Sequence, residues 1–255
     1  MGEETKSNGG GWLWNRFQGS LLWRVLKRVP FLRSSYYLAV EIGANVRTPR
    51  EASLEGTDAV FVESVDPWKY EIDAQEQERF ALQTALLDEF RGNRLFGAGL
   101  EIGCAEGLFT EILADRCESL LVLDLSPTAL ARTQARRRWP DTARFEAFDL
   151  RDNSIPGQFD LIIVAGVLEY FTKRKTFIDV RKKLSKALRP NGYLLVESTR
   201  RSPVVEDAWF GKAMIRGKWI NSFVAEDPTL SIVSEVLTDK FAITLLRKAE
   251  PGSGE

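Results

Sequence analysis

The stretch Leu95–Gly107, LFGAGLEIGCAEG, decides the fold. Leu100 and Ile102, with the small residues around them, read as the end of a buried strand. Gly103 to Gly107 form a small-residue turn, and Leu108–Ala114 (LFTEILA) has the apolar spacing of an amphipathic helix. Strand, glycine turn and helix in that order are the unit that opens a nucleotide-binding α/β sheet. A dinucleotide turn, G-x-G-x-x-G, needs its middle glycine so that the backbone can approach a pyrophosphate. Here the order is G-x-x-x-G, with Ala105 in that middle place. Glu101, on the last residues of the strand, sits badly beside a diphosphate and suits a ligand that carries positive charge.

Working outward, Asp124 stands 21 positions beyond Gly103 and closes a second apolar run, LLVLDLS. A carboxylate at that strand end is placed to accept hydrogen bonds from both hydroxyls of a ribose. An E/D-x-G-x-x-x-G turn followed by a strand-end acid resembles the class I S-adenosylmethionine (SAM) dependent methyltransferases, over roughly Trp68 to Ala249. Taken alone, the turn also fits an ordinary strand-to-helix connection with no cofactor. The resemblance implies an α/β fold with a Rossmann-like, seven-stranded, mostly parallel sheet and a reversed final strand. It also implies SAM as cofactor and S-adenosylhomocysteine (SAH) as product. Glu101, Gly103, Cys104, Ala105 and Gly107 of the turn, Asp124 and Leu125, and Ala165 after a later strand would then hold the cofactor.

Composition sets the outer bounds. A chain of 255 residues with 44% apolar content is enough for one α/β domain and an extension. A net charge of -1 argues against a general nucleic-acid binder. Cys104 and Cys117 have neither metal-ligand spacing nor the number for a disulfide scaffold, so no metal site is expected and a reducing compartment is the simplest inference. The start, MGEETKSN, lacks the basic flank and apolar core of a secretory signal, and Lys6 stands where a myristoylation signal would have serine or threonine. No apolar run approaches the ~20 residues of a membrane span, so a soluble, cytoplasmic protein is expected. The chain has no histidine. That excludes imidazole bases, catalytic triads and histidine-ligated metals, and leaves carboxylate, tyrosine, lysine or no base.

Three regions are expected: a disordered tail at 1–11, an extension at 12–65, and a methyltransferase domain at 66–250. Between Trp14 and Val29, apolar residues recur every three or four positions beside Arg16, Arg24, Lys27 and Arg28. This basic amphipathic helix, within 12–30, either meets a membrane surface or a partner, or packs on the protein's own body or a second copy. Residues 31–65 read as irregular, with β-like runs such as AVFVESV. Next, an aromatic turn leads into a helix with Phe80, Leu82, Leu86 and Leu87 on its apolar face.

The D-P-W-x-Y segment at 66–70, followed by an E-Q-x-R-F helix, resembles the nodulation-type (NodS-like) N-methyltransferases, which methylate the free amine of a chitooligosaccharide. The resemblance implies that Trp68 and Tyr70 cover the SAM pocket and that Arg79 pairs with the methionine carboxylate. The alternatives are a hydrophobic staple for Trp68 and a surface charge for Arg79. Ser126 and Pro127 start a helix running to Arg136, Arg137 and Arg138. The strand ARFEAFDL then ends at Asp149, which in the methyltransferase pattern accepts from the adenine amino group while the N–H of Leu150 serves the ring nitrogen. Asp149 is alternatively a turn cap with Asp152 and Asn153. FDLIIVAG reads as a central strand buried on both faces. Its continuation, GVLEYF, resembles the E-V-L-x-Y segment at the pocket lip of the same family, with Gly166 where the family often has an acid. The basic helix Lys173–Leu188 reads as a solvated face, with RNA contact as the alternative. After the turn Arg189–Gly192 comes YLLVEST, and Arg200–Pro228 carries Trp209, Phe210, Trp219 and Phe223, an expected wall of the acceptor pocket. LSIVSEVLTD and KFAITLLRK complete the sheet as a hairpin.

Methyl transfer from a sulfonium is an in-line displacement whose main demand is alignment. A neutral amine needs no base, whereas a hydroxyl must be deprotonated as it reacts. The absence of histidine therefore favours a nitrogen acceptor. Glu169 and Tyr170, at the lip, are the candidates to serve as base or to orient the acceptor. The reading is an N-methyltransferase acting on an amino sugar or a similar small amine, with no nucleic acid expected. O-methylation of a sugar or natural product, an RNA- or protein-directed enzyme and a non-catalytic SAM-binding partner are the alternatives.

Overall fold

The computed structural model describes residues 53–171, 173–200 and 217–250. The expected tail at 1–11, the amphipathic helix at 12–30, and Trp209 and Phe210 lie outside them. In chain order come α1 (Leu54–Glu63), α2 (Ala74–Arg91), β1 (Phe96–Ile102), α3 (Leu108–Ala114), β2 (Cys117–Asp124), α4 (Pro127–Ala135), β3 (Ala143–Ala147) and β4 (Phe159–Ala165). A 3₁₀ turn (Leu168–Tyr170) then leads to α5 (Arg174–Ala187), β5 (Leu188–Thr199), α6 (Lys218–Ala225), β6 (Leu230–Leu237) and β7 (Phe241–Lys248). The seven strands lie in the order β3-β2-β1-β4-β5-β7-β6. β1 to β5 are parallel, and β7 runs antiparallel to both β5 and β6. This is the mostly parallel sheet with a reversed final strand that the sequence implies.

Period-two alternation divides each inner strand between two cores. Leu161, Ile163 and Leu195 pack with Phe80 and Leu87 of α2 and Phe109 and Leu113 of α3. Ile162, Val164, Leu194 and Val196 pack on the opposite face with Phe177, Val180 and Leu184 of α5 and Phe223 of α6. Because both faces are covered, these runs are apolar at every position. The chain winds outward from β1 through β2 to β3 in one direction and from β4 to β5 in the other. The two directions part between the carboxyl ends of β1 and β4, where an open α/β sheet has its crevice.

Helix α4 starts at Ser126 and Pro127 and runs to the arginine cluster as expected, with Arg136 as its C-cap, but two local readings need correction. AVFVE, β-like in its alternation, lies in helix α1. Ser53 caps it by accepting from the N–H of Gly56 at 3.1 Å, and only Phe61 is buried while Val60 and Val62 stay exposed. An alternating run that buries one residue has no sheet face to fill, and the cap decides for helix. Second, Phe223 does not wall a pocket on the glycine-turn side. It is a core residue of the opposite face, 5.9 Å from the Phe177 ring and with Arg181 stacked over it at 4.8 Å. No helix among the described residues is long and apolar enough to cross a membrane.

Candidate functional site

The crevice between β1 and β4 holds a hollow of about 370 Å³, counting its open mouth. It is lined by Tyr70, Arg79, Phe80, Glu101, Ile102, Gly103, Cys104, Ala105, Leu108, Phe109, Ile163 and Ala165. The glycine turn is folded by left-handed residues: Gly103 has φ +83°, Ala105 +49° and Gly107 +84°. A side chain at Gly103 would stand 2.2 Å from Val167 Cγ2, so only glycine fits there. Ala105 adopts an unusual φ for a residue with a Cβ, and its N–H donates to Asp124 Oδ2 at 3.0 Å. Asp124 Oδ1 accepts from the N–H of Ser126 at 2.8 Å. Asp124 therefore ties the turn to the start of α4. Asp58 of α1 supports that corner, accepting from the Ser126 hydroxyl and from the N–H of Thr128.

Glu101, the penultimate residue of β1, lines the hollow and is 3% exposed. The Thr110 hydroxyl donates to its Oε2 at 2.5 Å, and no cation among the described residues pairs with it. Burial pushes its carboxyl from the ordinary 4.5 up to about 8; the Thr110 bond opposes this and the nearby Asp124 adds to it. A buried acid without a cation is costly, and here it faces a cavity.

The segment 66–70 is pinned over the glycine turn. The N–H of Asp66 donates to Glu106 Oε2 at 2.8 Å, while the Asp66 carboxylate accepts from the N–H groups of Tyr70 and Glu71 at 2.7 and 3.0 Å. Trp68 lies between Phe61, 5.1 Å away, and Tyr70, stacked at 5.9 Å. Tyr70 lines the hollow and Trp68 backs it. Arg79 is no surface charge. It is 4% exposed, bonded through Nε to Glu76 at 2.8 Å and through Nη1 to Glu197 at 3.2 Å, with its guanidinium 4.5 Å from the Phe80 ring centre.

Glu197, on β5, was not singled out from the sequence. It is 1% exposed, its Oε2 takes Arg79, and its Oε1 is buried with no hydrogen-bond partner. Burial pushes its carboxyl up to about 8 against the pull of Arg79. The signal was present: an acid inside YLLVEST breaks an apolar strand as Glu101 breaks GLEIG.

Trp68, Gly107, Asp124, Leu125, Asp149, Leu150, Glu169 and Tyr170 do not line the hollow itself. Asp124, Leu125 and Gly107 frame its turn. Glu169 and Tyr170 occupy the 3₁₀ turn after β4, where Thr199 Oγ1 donates to Glu169 Oε1 at 3.3 Å and Tyr170 is 39% exposed. Asp149 is engaged within its own turn. Both its oxygens are taken by Arg151, through its backbone N–H at 2.9 Å and its guanidinium at 2.5–3.1 Å, which holds the carboxyl low. The turn-capping alternative is the arrangement observed, with Arg151 as donor and Asn153 bonded to the Asp149 carbonyl. The Leu150 carbonyl accepts from Lys183 Nζ at 2.8 Å.

The family described as Nodulation protein S (NodS) matches residues 59–215. The Nodulation protein S of Bradyrhizobium diazoefficiens is 37% identical over 136 residues, 53% of this chain and 63% of that protein. That of Sinorhizobium fredii is 37% identical over 133 residues, 52% and 60% of the two chains. The matched portion thus spans less than two thirds of these relatives. Among solved structures, the N-methyltransferase NodS from Bradyrhizobium japonicum WM9 in complex with SAH superposes with a TM-score of 0.65 at 28% identity, covering 78% of this chain and all of that one. A toxoflavin-precursor N1-methyltransferase from Burkholderia thailandensis, at 14% identity and TM-score 0.58, shares the fold.

Proposed function

This chain belongs to the nodulation protein S family, and from that premise we propose that it transfers a methyl group from SAM to the amine of an amino sugar or a similar small molecule. The observation that carries the reading is Glu101, a buried acid without a cation, facing a hollow at the switch point of the sheet. SAM, when bound, supplies an activated methyl on a sulfonium. Glu101 would take the ammonium of its methionine part, and the Gly103–Ala105 backbone allows close approach of that part. Asp124, with Leu125 beside it, is placed for the ribose hydroxyls. Arg79 would share its guanidinium with the methionine carboxylate. Tyr70, backed by Trp68, closes the hollow and excludes water. Asp149 is assigned no cofactor contact while Arg151 holds it.

Alignment supplies most of the acceleration: holding nucleophile and methyl group in line is worth roughly 7–11 kcal/mol. A chain without histidine meets that demand with a neutral amine, whose proton leaves after transfer. Glu169 and Tyr170, at the lip, orient the acceptor. Residues 66–250 form the methyltransferase body in this reading, and α1 of the preceding extension packs on α4. Calorimetry with SAH, followed by incubation with labelled SAM and glucosamine oligomers or simple alcohols, tests the proposal. SAH binding with label on the amines is expected. Label found only on hydroxyls rejects the nitrogen acceptor, and lack of SAH binding rejects the cofactor assignment.

A further inference from the structure

Glu101 and Glu197 share one face of the sheet. Glu101 pairs in register with Ile163 and Ala165 with Glu197, so the second acid lies one strand beyond β4 and two residues further toward the carboxyl edge. That places their Cα atoms roughly 12 Å apart for ordinary strand spacings. Ala165, the in-register neighbour of Glu197, lines the hollow, and the N–H of Gly166 donates to the Glu197 carbonyl at 3.2 Å.

The end of β5 is held rigidly. Ser198 Oγ donates to Asn221 Oδ1 at 2.8 Å, and Asn221 Nδ2 lies 3.2 Å from the Val196 carbonyl and 2.9 Å from that of Ala242. Arg79 fixes Glu197 Oε2 from the other side. Glu197 does not line the hollow, but its Oε1 is left without a partner on the strand next to Ala165, which does. A buried acceptor left unbonded is costly unless something else fills it. Gly166 adds a second observation. A Cβ there would stand 3.8 Å from Glu197 Oε2 and 4.0 Å from Glu169 Oε1.

Resting on the methyltransferase reading, we propose that Glu197 is the docking residue for the acceptor amine, with its unpartnered Oε1 accepting an N–H of that amine. The bond orients the nitrogen so that its lone pair meets the methyl carbon. The N–C bond forms as the S–C bond breaks, and the bonding pair leaves on sulfur. The new ammonium then gives one proton to water. Glu169, anchored by Thr199, stands beside this carboxylate at the lip.

Glu197→Gln keeps the shape and an oxygen for Arg79, so the variant is expected to bind SAH within about threefold of the unaltered protein. The unaltered protein saturated with SAH should bind a glucosamine tetramer at least ~10-fold more tightly than its N-acetylated counterpart, as a charge-assisted hydrogen bond implies. In Glu197→Gln that preference should collapse to about twofold or less. Retention of the preference by the variant overturns the proposal, as does its absence from the unaltered protein. A variant that also loses SAH binding by ~10-fold or more places Glu197 in the cofactor's support and overturns it too. Failure of the unaltered protein to bind SAH is a separate result, and it strikes the methyltransferase reading beneath the proposal.

Discussion

Glu101 and Glu197 are both buried strand-end acids on one face of one sheet, and both are pushed up to about 8 by burial. Their surroundings differ. Glu101 has a hydroxyl beside it and a hollow before it, whereas Glu197 has a guanidinium on one oxygen and nothing on the other. The first acid therefore waits for a whole cation, and the second for a single hydrogen-bond donor. In the proposed reading, this difference separates a cofactor's ammonium from an acceptor's amine. It also makes Arg79 the hinge between the two, since it lines the hollow while bonding Glu197.

The hardest blow to that contrast is Arg79→Leu. Removing one partner of a buried ion pair leaves charge uncompensated, and a loss of about 3–5 kcal/mol in urea-unfolding stability is expected. Adding Glu197→Gln to the same chain should restore part of it, because the two residues are coupled. A single variant as stable as the unaltered protein would mean that Glu197 does not depend on Arg79, and the contrast would fail. Glu101→Gln should act in the opposite sense. The ligand-free protein is expected to be as stable or more so, while SAH affinity falls by about 2–4 kcal/mol, roughly 30- to 1,000-fold by calorimetry. Undiminished SAH binding would reduce Glu101 to a structural acid.

The proton at Glu101 sharpens the same point. Its carboxyl rises from 4.5 to about 8 on folding, so between those values the folded protein holds a proton that the unfolded chain has lost. Stability from this group is complete below pH 4.5 and is lost as pH rises through about 8. Glu101→Gln should flatten that slope in denaturation curves taken across the window. A bound ammonium reverses the preference, so SAH binding near pH 7 should release about one proton, read from titrations in buffers of different ionisation enthalpy. Proton uptake, or no exchange, would place the ligand's cation elsewhere.

What the sequence made legible follows the same physics. Strands buried on both faces are apolar throughout, so β1, β2 and β4 stand out, and a lone acid at such a strand end is visible as Glu101 was. Glu197 carried that signal too. Its meaning depended on Arg79, 118 positions away in the chain, which no local pattern reveals. Asp149 shows the converse. Its strand-end position was legible, but the answering guanidinium of Arg151 is set by a rotamer and not by spacing. AVFVE misled because alternation predicts a strand only where a sheet face needs filling, and Asp58, whose carboxylate braces Ser126, stands immediately before that misread run in the same helix.

The smallest expected effect concerns backbone strain. Glu197 sits on a strand braced by Asn221, while Glu101 leads into a turn whose third residue, Ala105, is held at φ +49°. A left-handed alanine costs about 1–2 kcal/mol in the folded state, and replacing it with glycine returns about 0.5–1 kcal/mol of that as unfolded-chain entropy. Ala105→Gly should therefore raise stability by about 0.5 kcal/mol, a gain of about 1–2 °C in Tm. SAH affinity should fall slightly in the same variant, because the N–H that holds Asp124 Oδ2 sits on a looser backbone. A variant that is less stable would show that the alanine is not strained, its turn being shaped by Asp124 as much as by its own φ. The glycine corner would then be as firmly braced as the Asn221 corner, and rigidity would no longer distinguish the cofactor's end of the cleft from the acceptor's.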